Sequence, residues 1–64
     1  MSSMYPFRVV RPGTEDAPST IVGIQRTQRE AEAMSDKRTR AASVEHYVLD
    51  SCGRRVYTSE LVIA

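Results

Sequence analysis

The sequence predicts an α+β fold: an antiparallel sheet of about four strands in ββαββ order, with one helix packed on one face. Three observations carry this reading. Thr27-Gln28-Arg29-Glu30 has the spacing of a capping box and starts a helix. Runs rich in β-branched residues lie on both sides of that helix. Pro12-Gly13 and Asp50-Ser51-Cys52-Gly53 punctuate those runs as turns.

Taken in order, Phe7-Arg8-Val9-Val10-Arg11 reads as the first strand, ended by Pro12-Gly13. Residues 12–19 form a polar, mobile loop, and residues 1–4 a disordered N-terminus. Thr20 to Gln25 is the second strand, which pairs with the first as a hairpin. The helix runs from about Gln28 to Ala42. Thr27 accepts from the N–H of Glu30, and the Glu30 side chain reaches back to the N–H of Thr27. Glu30 and Glu32 near its start, and Lys37, Arg38 and Arg40 near its end, both suit the helix dipole. Its buried stripe is expected along Ala31, Met34, Arg38 and Ala41 or Ala42.

Val44 to Leu49 is the third strand and Arg54 to Ser59 the fourth. Asp50 suits the first turn position, and Gly53 the position that needs positive φ. A bulge at Gly53 then sets Tyr47 against Tyr57 and Val48 against Val56. Leu61 to Ala64 either extends the last strand or docks elsewhere as a tail. The chain holds no internal repeat, linker or low-complexity segment.

At 64 residues the chain is a single small domain. Leu, Ile, Val and Phe make up about one-fifth of it, so the core is thin. Small domains gain stability from disulfides, metals or a second subunit. One Cys excludes an internal disulfide, and one Cys with one His does not make a four-ligand zinc site. No metal or cofactor is expected, and a second subunit is the device that remains. The net charge of +1 is not that of a protein that coats nucleic acid. No apolar run approaches the roughly 20 residues of a membrane span. A soluble cytoplasmic protein of a bacterium or phage is the resulting expectation.

Side chains alternate across a sheet. On the second hairpin Tyr47, Leu49 and Tyr57 share one face, and Val44, Val48 and Val56 the other. On the first, Phe7, Val9 and Ile21 compete with Val10, Val22 and Ile24. Both faces carry apolar groups, and one Ala-rich helix covers only one. Val44, Val48 and Val56 are therefore the candidate partner-binding face, taken up by a second copy of the chain or by a protein partner.

The alternative is a nucleic-acid-binding accessory protein using Lys37, Arg38, Arg40, Arg54 and Arg55. Against it stand the low net charge and the ordinary use of such residues at helix ends and strand edges. A small Cys-dependent enzyme is the weakest alternative. Cys52 lies in a turn without an evident base, and His46 reads as a half-exposed strand residue whose neighbour Glu45 points to the opposite face. No catalytic residue is assigned.

The pattern of Phe7-Arg8-Val9-Val10, Thr27-Gln28-Arg29-Glu30-Ala31-Glu32-Ala33, Tyr47-Val48-Leu49-Asp50 and Gly53-Arg54-Arg55-Val56-Tyr57 resembles small ββαββ proteins of bacteria and phages. In these a short hairpin leads into a helix opening Thr-x-x-Glu-Ala, and an Asp-x-x-Gly-Arg hairpin closes the unit. The resemblance implies a two-layer fold and transfers no activity and no site residues. The long segment from Pro12 to Ser19 departs from the tighter first hairpin of that pattern.

Overall fold

A computed structural model of the chain describes residues 6–61. The elements follow in the order β1 (Phe7–Arg11), β2 (Thr20–Gln25), α1 (Gln28–Ala42), β3 (Tyr47–Leu49) and β4 (Arg55–Thr58). The four strands make one antiparallel sheet in the order β2-β1-β3-β4, and α1 packs on one face of it. The expectation of a disordered N-terminus over 1–4, and the end of the chain beyond Leu61, lie outside the described residues.

Local chemistry forms these elements much as expected. The Thr27 hydroxyl accepts from the Glu30 N–H at 3.2 Å and starts α1 at Gln28. The return bond differs from a full capping box: the Thr27 hydroxyl donates to the Glu30 carboxylate, also at 3.2 Å. Gly53 has φ +80, and its N–H donates to the Asp50 carbonyl at 3.0 Å. In the loop ahead of β2, Thr14 and Ala17 exchange two backbone hydrogen bonds.

Two strands are shorter than the sequence suggests, and the reason lies in the helix. The His46 N–H donates to the Thr39 hydroxyl at 3.0 Å, so β3 begins at Tyr47, three residues after the expected start at Val44. Ser59 falls outside β4 for the same reason: its N–H still donates to the His46 carbonyl at 2.8 Å, but the return bond from the His46 N–H is diverted to Thr39. At the other end, the Asp50 carboxylate holds Arg54, and β4 starts at Arg55.

The register of the second hairpin slips by one from its expected value. Leu49 pairs with Arg55, but Val48 pairs with Tyr57 and Tyr47 with Thr58. The bulge lies at Val56 in the strand, not at Gly53 in the turn. A second bulge leaves Val22 as the extra residue, because Val9 pairs with Gly23 and Val10 with Ile21. Both extra residues, Val22 and Val56, turn toward the core.

That core is small. Val9, Val48 and Ala31 are wholly buried, with Phe7, Val22, Met34, Val56 and Tyr57 packed around them. Gly23, beside Val9, lies directly under Met34; a Cβ there would collide with the Met34 sulfur.

The innermost line of α1 is Ala31, Ser35 and Thr39, not the expected stripe. Met34 is half-buried, while Arg38, Ala41 and Ala42 are exposed. Hydrogen bonds explain the rotation. Ser35 and Ser59 hydroxyls meet at 2.6 Å. Ser59 has one hydroxyl proton and gives it to Asp36, so Ser35 donates to Ser59. Tyr57 donates to the same Asp36 oxygen at 2.9 Å, and that bond raises the Tyr57 pKa above its ordinary 10.0. Farther along, Thr39 meets His46, whose Nδ1 lies 2.6 Å from the Val44 carbonyl. A carbonyl only accepts, so Nδ1 carries a proton.

The polar joint leads to a double-mutant cycle. Ser59→Ala leaves the buried Ser35 hydroxyl without its acceptor and should cost about 1–3 kcal/mol. Adding Ser35→Ala should cost less than the sum of the two single changes, as read by urea unfolding. Strict additivity would show that the two hydroxyls are not coupled. The end of α1 gives a second expectation. Its C-cap, Ser43, has φ 55, where an L side chain is strained. Ser43→Gly should raise stability by roughly 0.5–1 kcal/mol in the same assay, strain relief exceeding the entropy cost of glycine.

Candidate interaction surface

Cross-strand partners share a sheet face, so the register sorts the side chains. Gly23, Val9, Val48 and Tyr57 form one row across the four strands, and that row lies beneath α1. The opposite face has no helix. Its first row is Ile24, Arg8, Leu49 and Arg55; its second is Ile21, Val10, Tyr47 and Thr58.

Neighbouring strands are about 4.8 Å apart, so Arg8 and Arg55 stand roughly 10 Å from one another with Leu49 between them. Ile21 and Ile24 are 53% and 52% exposed, while Val10, flanked by Ile21 and Tyr47, is only 4% exposed. The surface is therefore apolar toward β2 and cationic across the middle and the β4 side. None of the four strands contains a carboxylate.

The two arginines are held in different ways. Arg8 donates to the Asp50 carbonyl at 3.0 Å, which lays it along the face toward the β3–β4 turn. The Arg55 guanidinium sits 4.0 Å over the centre of the Tyr47 ring, a cation–π contact. Asp50 organises the turn: Oδ1 accepts from the N–H groups of Cys52 and Arg54, each at 2.9 Å, and Oδ2 pairs with Arg54 Nε at 3.3 Å. The Arg54 backbone bond, with further help from the Cys52 N–H and the Arg54 charge, lowers the Asp50 pKa from its ordinary 3.8.

The residues singled out from sequence are distributed differently. Val48 is buried beneath α1, Val56 packs against the same core, and Val44 is half-buried. The helix thus covers the face that carries Val48 and Val56, and the uncovered face is the other one. The basic residues divide into two groups. Lys37, Arg38 and Arg40 project from the last turns of α1, at the end of the sheet where Thr39 meets His46. Arg54, in the β3–β4 turn, and Arg55, which opens β4 and pairs with Leu49, lie at the opposite end.

His46 is 2% exposed, not half-exposed, because Thr39 and the Val44 carbonyl draw its ring under the helix. Cys52 is exposed in the turn, with the whole of β3 between it and His46. Among the described residues, no group of three or more His, Cys, Asp and Glu is placed to hold a metal ion. No helix among them is long and apolar enough to cross a membrane.

Sequence reading assigned Ile21 and Ile24 to opposite faces, since residues three apart alternate. The Val22 bulge brings them onto one face, and Gly23, a glycine inside the strand, is the sequence signal that could have marked it. Comparison of the chain with protein-family models, curated proteins and solved structures finds no match.

The Asp50 turn has a pH signature. A lowered carboxylate pKa contributes stability above its ordinary value, and the contribution is lost as pH falls through the folded-state value. Asp50→Asn should be less stable than the parent at neutral pH, with the gap closing as pH drops below 3.8. Thermal unfolding of both proteins across that range reads it; a gap independent of pH would remove the charge from the explanation.

Proposed function

We propose that this protein is a non-enzymatic protein-interaction module: a homodimer, or a small adaptor or inhibitor that docks on a larger partner. The observation that carries the reading is the helix-free sheet face, on which Ile21 and Ile24 stand more than half exposed along the β2 edge, with Val10 beside Ile21 and Arg8 beside Ile24. Large side chains that form a contiguous apolar strip on a chain with so small a core favour burial against another surface.

The nucleic-acid reading loses its single surface, because Lys37, Arg38 and Arg40 lie at one end of the fold and Arg54 and Arg55 at the other. What favours it is the Tyr47–Arg55 stack beside Arg8, one aromatic with two cations. That is a smaller platform than the successive aromatics on which single strands stack. Enzymatic chemistry has less support: Cys52 and His46 are separated by β3, and the His46 ring is tied to the Val44 carbonyl.

The test is the binding of an anionic hydrophobic dye, together with sedimentation at increasing concentration. The parent protein should bind dye or self-associate. The pair Ile21→Lys and Ile24→Lys should abolish both while leaving the unfolding free energy within about 1 kcal/mol, since neither side chain is in the core. A parent chain that stays monomeric at millimolar concentration and binds no dye would sink the reading.

A further inference from the structure

The two edges of the sheet are unequal. β2 is the longest strand, six residues against four in β4, and its sequence Thr-Ile-Val-Gly-Ile-Gln contains no charge and no proline. Edge strands of soluble proteins usually carry such residues to block pairing with another chain. β4 is short and opens with Arg55, while among the described residues β2 is an outer strand whose one irregularity is the Val22 bulge.

Both sides of that edge are prepared for side chains. On the open side, Ile21 and Ile24 are exposed, with Arg8 next to Ile24. On the helix side, Met34 lies over Gly23, and the helix surface continuing from Met34 forms a groove of about 460 Å³. Ala33, Met34, Lys37, Arg38 and Ala41 line it: three apolar side chains, two cations and no carboxylate.

We infer that β2 accepts an extended acidic and apolar segment of a partner protein, which adds to the sheet as a fifth strand. Its alternate side chains rest on Ile21 and Ile24 on one face and place carboxylates near Lys37 and Arg38 on the other. This rests on the interaction-module reading and names its occupant. Strand addition gives affinity through backbone hydrogen bonds and specificity through alternate side chains.

Charge selects this occupant over a second copy. Antiparallel pairing of β2 with its own copy requires a two-fold axis perpendicular to the sheet, so both helices lie on one side. The strand that a second copy brings, Thr-Ile-Val-Gly-Ile-Gln, carries no carboxylate for Lys37 and Arg38. Charge also attracts a nucleic acid, but a strand edge offers N–H and C=O groups in the peptide repeat. The aromatic Tyr47 lies two strands away from β2, with Arg55 over its ring.

The probe is an eight-residue blocked peptide of alternating valine and glutamate, titrated into the isotopically labelled protein and followed by amide shifts. The expected result is saturable binding with shifts concentrated on Thr20–Gln25, and no binding of the valine–lysine counterpart. Lys37→Glu with Arg38→Glu should weaken it by about tenfold. N-methylation of the peptide's pairing amides, which leaves the protein untouched, should abolish it.

No binding of the valine–glutamate peptide would overturn the inference, as would equal binding of the N-methylated form. So would tighter binding of oligothymidylate at the same amides, or dimerisation through β2 in place of peptide binding. Retained dye binding that is lost in the Ile21→Lys, Ile24→Lys protein would show that the interaction module survives such a failure; loss of dye binding by the parent would not.

Discussion

The polar joint between α1 and the start and end of the second hairpin is the constraint on which the other features depend. Ser59 stands between Ser35 and Asp36, Tyr57 meets the same carboxylate, and Thr39 holds His46. The largest fully buried side chains include His46, Thr39, Ser35 and Ser59 beside Val9 and Val48. A typical hydrogen bond contributes only about 1 kcal/mol net, yet leaving a buried polar group unpaired costs as much as 3 kcal/mol. The joint therefore does little to drive collapse and much to fix its outcome, because other seatings of the helix would strand several of these groups.

From that seating the rest follows. The helix is rotated so that Ala31, the one small apolar residue on its innermost line, sits against Val9 and Val48. Ala31 permits close approach, and Gly23 makes room for Met34. The two bulges then supply what the helix lacks, turning Val22 and Val56 into a core that strict alternation would leave thinner. The same bulge at Val22 leaves Ile21 and Ile24 together on the far side. Core completion and the exposed apolar strip are thus two results of one backbone irregularity.

Charge follows the same division. Acidic side chains of the described region lie on α1, in loops or in turns, while the strands carry only Arg8, Arg11 and Arg55. Asp50 is not an exception in effect: its carboxylate is committed to the turn it caps. A face with arginines, an exposed isoleucine pair and no carboxylate from the strands is suited to partners that bring negative charge and apolar surface together.

The local signals were legible from the chain. Thr27 and Glu30 place the helix start, Asp50 and Gly53 close the second hairpin, and β-branched runs mark the strands, because each depends on neighbours within a few residues. Hence the ββαββ order, the four-stranded antiparallel sheet and the bounds of α1 follow from sequence alone. The covered face, the one-residue slip at Val56, the burial of His46 and the separation of the basic residues do not. Each is decided by partners 7 to 24 positions apart, as with Thr39 and His46 or Ser35 and Ser59. A strand with apolar residues on both sides has no preference of its own; only the hydrogen bonds of the packed helix choose which side is buried.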